Sequence, residues 1–265
     1  MRIFAIPIFR NKWAYYCHST IPTNSRLTQA VDWSNKKWEQ LGDAEPTTWK
    51  RKIYDRGNNL MNQIDYQEWF LKSIPRKEDI EYPPEKVSVL YASSLDSLEI
   101  EKDLLHLINE REPYHKKYMY YSAYWVPIAC TFAIVPIIPN IPLAYNLFRL
   151  YSHYKAYYGV RHLKSVSLNY AASPELDQIL QNQNFTTTEQ VTLPNEVEQR
   201  FIKSSNNKPN IQDVLHQDIP GVLDLENIML ISRYYDSPGM ETELKRARYQ
   251  MLAQIAKERF AKQNQ

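Results

Sequence analysis

The sequence predicts a mainly α-helical protein with a small β element at its N-terminus and a membrane-embedded helical hairpin bent at a Pro-Asn-Ile-Pro turn. Three observations predict it. Two short apolar runs at the start are separated by a turn-forming Asn-Lys pair. Apolar residues recur at three- and four-residue spacing through much of the chain. A long charge-free stretch, rich in proline and tyrosine, occupies the middle.

The first strands are Ile3–Phe9 and Trp13–Cys17, with the turn at Asn11 and Lys12. Four basic residues and no acid precede Asp32, as in a mitochondrial import signal. Pro7 and the strand pattern favour a folded, uncleaved start, although the basic stretch can still direct import. A helix follows, capped among Thr23, Asn24 and Ser25 and ended by Gly42. A second opens at Pro46, with Trp49, Ile53, Gly57, Leu60 and Ile64 on one stripe. The tryptophans of these helices are expected in the core. A third runs from Tyr66 to Ile74 and stops at Pro75. Lys86–Tyr91 alternates as a strand. Residues 96–112 form an amphipathic helix through Leu98, Leu104, Leu105 and Ile108, which Pro113 is expected to break or kink.

No residue from Tyr118 to Phe148 is charged, a run longer than the roughly 20 residues that cross a bilayer as a helix. Two full spans do not fit it. Pro136, Pro139, Asn140 and Pro142 mark a bend, because each proline lacks a backbone donor and crowds the preceding turn. Lys116 and Lys117 precede the run; Arg149 and Lys155 follow it, and tyrosines cluster at both ends. Basic, aromatic flanks on both sides suit a hairpin whose two ends lie on one side of a membrane, with these four cations as topology anchors. A single span, or a hairpin buried in a globular core, are the competing arrangements. His115 and His153 are the nearby groups that titrate near neutral pH, and are expected to lie exposed at the interface.

Beyond Ser165, residues 178–191 and 204–210 are rich in Gln, Asn, Ser and Thr and read as loops. Short helices are expected at 195–202, 211–217 and 224–235. A last helix from about Pro238 presents Leu244, Ala247, Met251 and Ile255 on one face, with Lys245, Arg246, Arg248, Lys257 and Arg259 on the rest. The chain thus divides into 1–95, a β-hairpin with amphipathic helices; 96–165, the membrane hairpin region; and 166–265, polar linkers and helices.

Composition excludes several classes. With 32 Lys+Arg against 30 Asp+Glu, the net charge of +2 does not suit a nucleic-acid binder. Only 5 glycines are present, and neither G-x-G-x-x-G nor G-x-x-x-x-G-K-[ST] occurs. H-E-x-x-H and G-x-S-x-G are absent, so no enzyme chemistry is expected. The 6 histidines are scattered and the 2 cysteines, Cys17 and Cys130, form no C-x-x-C pair; no catalytic residue, metal site, cofactor or disulfide framework is expected.

The blocks MRIFAIPI, NKWAYYCH, LTQAVDWSNKKWEQLGDAEPTTWKRKIYDRGNNLMNQIDYQEWFLKSIP and YHKKYMYYSAYWVPIACTFAIVPIIPNIPLAYNLFRLYSHYKAYYG, in this order, resemble the fungal mitochondrial potassium–proton exchange-related protein family. The resemblance covers roughly the first 165 residues. It implies an inner-membrane protein with a role in or around exchange of matrix potassium for protons, and so in matrix cation and volume homeostasis. The residues themselves argue against a complete transporter. The charge-free stretch holds no ionisable group apart from tyrosine, cysteine excepted, and one hairpin cannot enclose a pathway. Self-association or other inner-membrane proteins, together with membrane lipid, are therefore the expected partners, with potassium and protons as the ions concerned. A membrane-anchored scaffold or assembly factor acting indirectly on potassium, or an α-rich binding module whose hairpin is core, are the alternative functions.

Overall fold

A computed structural model describes residues 1–20, 40, 42–45, 47–61, 63–132, 141–194 and 218–263. The chain is mainly helical with a small sheet. It divides into two units, each drawn from separated stretches: Met1–His18, Glu85–Tyr114 and Leu163–Gln265 make the first, Ser19–Pro84 and His115–His162 the second. Folding thus interleaves the three consecutive segments suggested by composition.

The first unit is organised by β1 (Arg2–Phe9), the most apolar strand. It pairs antiparallel with β2 (Lys12–His18) and parallel with β3 (Lys86–Tyr91), which pairs parallel with β4 (Ser167–Ala172). Ile3, Phe4, Ile6, Ile8 and Phe9 are all fully enclosed. A continuous apolar strand is what a sheet covered on both faces demands, and each such side chain contributes about 1.5–3 kcal/mol by leaving water. Consecutive residues of β2 show the two covers. The Tyr15 hydroxyl donates to Asp103 Oδ2 at 2.9 Å, on α3 (Ser97–Phe132), while the Tyr16 hydroxyl meets Ser237 Oγ at 2.9 Å. Ser237 lies between α6 (Leu225–Tyr234) and α7 (Pro238–Gln263). On α7, Leu244, Ala247, Met251 and Ile255 are buried, as their spacing predicts. Arg248 is a correction: expected on the polar face, it is fully buried, with Asp218 and Asp224 offsetting part of the cost of its burial. Gly221 turns at φ +83°, and a Cβ there would stand 2.2 Å from Thr186 Oγ1.

β4 and the short α5 (Pro174–Leu180) were not expected. SLNYAA is weakly apolar, and its strand state comes from pairing with β3 rather than from its own pattern. Along the first part of α3 the buried stripe is Ile100, Leu104, Leu107 and Ile108; Leu98 and Leu105, expected on that face, are exposed. The helix also continues through Pro113, where a break or kink was expected. Pro113 lies on an exposed side, so the backbone bond it forfeits is lost at the surface, where water can replace it.

In the second unit, α1 (Trp49–Met61) leaves Trp49 66% exposed, so the stripe read from the sequence does not bury its first member. The unit's core includes Ile64, Phe70, Leu71 and Ile74. α2 (Tyr66–Ser73) begins where Asp65 Oδ1 accepts from Gln67 N at 2.9 Å, an N-cap, and ends before Pro75 as predicted. The distal part of α3 runs antiparallel to α4 (Ile141–Lys164): His115 meets His153, and Asn146 Nδ2 donates to Ser122 O at 3.0 Å. Gly159 lets α4 approach α2, since a Cβ there would stand 2.1 Å from Leu71 O.

The expected bend at Pro136, Pro139 and Asn140 lies outside the described residues, as do the helices expected at 195–202 and 211–217 and, apart from residues 40 and 42, the helix expected from Thr23–Ser25 to Gly42. Pro142 is the second residue of α4. Among the described residues, no helix is long and apolar enough to cross a membrane. The sequence expectation of a spanning segment is corrected to that extent. Tyrosine, whose hydroxyl offsets its ring, is the commonest residue in the described part of the charge-free run, and the aliphatic residues 133–138 are not among those described.

Candidate functional site

Three helices of the second unit bring polar side chains to one buried point. Glu68 comes from the first turn of α2 and, like Phe70 and Leu71 of the same helix, is buried. His115 comes from α3. Arg149, Ser152 and His153 come from α4, where three- and four-residue spacing puts 149 above 152 and 153. Glu68, His115, Ser152 and His153 are all buried.

The bonds are specific. Arg149 grips the Glu68 carboxylate with both terminal nitrogens, Nη1 to Oε1 at 2.8 Å and Nη2 to Oε2 at 3.3 Å. The Ser152 hydroxyl donates to Oε1 at 2.6 Å. Arg149 Nη2 also donates to His153 Nε2 at 2.8 Å, and His153 Nδ1 lies 3.0 Å from His115 Nδ1. Tyr118 stacks on His153, with ring centroids 5.6 Å apart.

Arginine stays protonated, so it fixes the tautomers. His153 Nε2 must accept, leaving its proton on Nδ1, and that proton is donated to His115 Nδ1. Burial, with the positive charge of Arg149 adding to it, pushes His153 down to about 4, so the ring is neutral near pH 7. Burial works to raise Glu68, but the Ser152 hydroxyl and the Arg149 charge prevail and hold it below its usual range. The result is a polarised chain, carboxylate to guanidinium to imidazole to imidazole, with every proton position set by its neighbour. Glu68, His115 and His153 can also each bring one ligand atom within 4.8 Å of the other two.

The expected site residues distribute as follows. His115 and His153 are brought together, but buried, which corrects the expectation that they are exposed: α3 and α4 meet there, with the two Nδ1 atoms 3.0 Å apart. Arg149 is paired with Glu68, and its side chain is 19% exposed. Lys155 is half-buried, its ammonium pushed down by burial, with Asp79 and Arg76 as its charged neighbours. Lys116 and Lys117 are exposed, the latter over the Tyr121 ring. Glu68 was missed. Its only signal was an acid at three- and four-residue spacing from the apolar Leu71 and Ile64.

A second feature adjoins this cluster on α3. Tyr118, Tyr120, Tyr121, Tyr124, Trp125 and Ile128 are all exposed, and on α4 so are Tyr145 and Leu147. On α3 alone, five of these are aromatic and lie within eight consecutive residues, 118–125.

The sequence is 27% identical over 200 residues to a Saccharomyces cerevisiae protein designated uncharacterized protein YDL183C, covering 63% of this chain and 62% of that one. The chain therefore aligns with less than two thirds of that relative's length. It is 25% identical over 164 residues to the Schizosaccharomyces pombe uncharacterized protein C23H3.12c, covering 60% of this chain and 72% of that one. No solved structure matches. The profile of the mitochondrial K+-H+ exchange-related family matches residues 2–167, which includes the sheet strands β1–β3, the buried cluster and the aromatic face. Matched over more than half its length, the chain belongs to the mitochondrial K+-H+ exchange-related family.

Proposed function

We propose that this protein is a mitochondrial inner-membrane component or regulator of potassium–proton exchange that acts through assembly with itself or with other inner-membrane proteins. The single observation that carries the reading is the exposed aromatic face of α3 and α4, which lies within the charge-free run from Tyr118 to Phe148. Tyrosine and tryptophan favour the headgroup layer, where the ring is apolar and the hydroxyl or indole N–H stays hydrated. The exposed Lys116 and Lys117 at its base suit the anionic headgroups beside such a surface. In this reading the distal parts of α3 and α4, with the apolar residues between them in sequence, enter the bilayer from one side and return to it.

The face contains no carboxylate, so it supplies no titrating cation site of its own. That favours a component or regulator over a complete pathway. Mitochondria lacking the protein should swell and recover abnormally in potassium acetate, and restoring the full chain should correct them. Normal volume changes without the protein would sink the proposal. Alkaline carbonate extraction tests its membrane part: the chain should stay with the pellet, and release into the supernatant would remove the bilayer from the argument.

A further inference from the structure

We infer that Glu68, His115 and His153 form a binding site for a divalent transition cation of the zinc class, with Arg149 occupying the cation's electrostatic place when no metal is bound. Zinc is held by imidazole nitrogen and carboxylate oxygen at about 2.0–2.2 Å, and three protein ligands leave a fourth position open. Two ligand atoms about 2.0 Å from a tetrahedral ion stand about 3.3 Å from each other. His115 Nδ1 and His153 Nδ1 are 3.0 Å apart, so both lone pairs can turn to one ion with only a small adjustment. Glu68 supplies the third donor: one ligand atom from each of the three side chains lies within 4.8 Å of the other two. The ligands come from three helices, and all three side chains are buried, so the donor set is held by the fold and not by a flexible loop.

The proton count closes. Glu68 is already ionised by its bonds to Arg149 and Ser152. Coordination through both Nδ1 atoms moves the His153 proton from Nδ1 to Nε2, and no net proton leaves the pair. That N–H would then confront the Arg149 Nη2 donor, now 2.8 Å away. Metal uptake therefore expels Arg149 from both His153 and Glu68. The partial exposure of its side chain gives it a way out. The site is thus a competition between a guanidinium and a metal ion for one carboxylate and one imidazole. Ser152 can keep its bond to Glu68 in either state. This inference is independent of the exchange reading and is tested without a transport assay.

Cobalt titration of the full 265-residue chain is the direct test. One equivalent should produce visible absorption of tetrahedral strength, without the near-ultraviolet charge-transfer band of a thiolate, and zinc should abolish it. Replacing both histidines, His115→Asn with His153→Asn, should remove the signal. Arg149→Gln should tighten zinc binding by at least about tenfold, because it deletes a neighbouring positive charge. A merely structural network predicts the opposite, since breaking it would loosen the ligands. The inference is overturned if neither the unmodified chain nor Arg149→Gln binds stoichiometrically. A thiolate band would equally overturn it by assigning the metal to Cys17 or Cys130. So would unchanged binding in the double-histidine variant, whatever its stability, since the unmodified chain already reports on the native fold.

Discussion

The two halves of helix α3 are built on opposite rules. From Ser97 to Tyr114 it buries Ile100, Leu104, Leu107 and Ile108 and exposes His106 and Glu110, the arrangement of a helix docked on an apolar core. From His115 onward it buries a histidine and exposes tyrosines and a tryptophan, Tyr124 to 77% and Trp125 to 59%. One continuous helix therefore turns its amphipathicity inside out near His115. Water rewards the first half for hiding its aliphatic face. The second half conceals a hydrogen-bonded polar cluster and leaves its aromatic side chains exposed.

The contrast can be broken at four places. The largest effect should come from Glu68→Ala. It leaves Arg149 without its carboxylate beside a buried imidazole pair and should cost about 3–5 kcal/mol, read as a lowered denaturation midpoint. Gly159→Ala should cost about 1–3 kcal/mol or more, because the obstacle is the backbone carbonyl of Leu71, which cannot rotate aside. A calorimetric Tm that did not fall would show that α4 does not approach α2 this closely.

Acid is the third probe. The folded-state pKa of His153 lies below its ordinary 6.5, at about 4. Its contribution to stability is fully present above pH 6.5 and is lost as pH falls toward 4, because the unfolded chain then binds a proton that the folded one refuses. About 1 kcal/mol should be gone by pH 5.5. Glu68, held below its usual range, adds its own loss at lower pH still. Urea titrations at pH 7.5 and 5.5 measure the difference, and His153→Asn should shrink it.

The smallest effect on stability sharpens the contrast most. Tyr124→Ser with Trp125→Ser should change folding stability by no more than about 0.5 kcal/mol, since both side chains are exposed. The same pair should weaken binding to anionic lipid vesicles by about tenfold or more, equivalent to about 1.4 kcal/mol. Unchanged vesicle binding would show that the aromatic face does not meet lipid.

Local pattern made much of this legible. β1, β2 and β3 follow from apolar runs and alternation, α2 from its apolar and aromatic residues and the proline after it, and the buried face of α7 from its spacing. In each case the signal lies within a few residues of the structure it specifies. β4 escaped because its strand state depends on β3, distant in sequence. Arg248 was misplaced because helical periodicity ranks residues by polarity and cannot register acids at 218 and 224 waiting for it. Pro113 was overread because the cost of a missing donor depends on which side of the helix meets water.

The charge-free middle, its aromatic flanks and the family resemblance all belong to the sequence alone, because they are properties of contiguous residues. The cluster of Glu68, Arg149, His153 and His115 belongs to the tertiary structure. Its members come from three stretches dozens of residues apart and, taken singly, are an ordinary acid, an ordinary cation and two scattered histidines. Only when α2, α3 and α4 exclude water from one point do their hydrogen bonds become obligatory and their protonation states fixed, because an unpaired polar group costs far more there than at a surface.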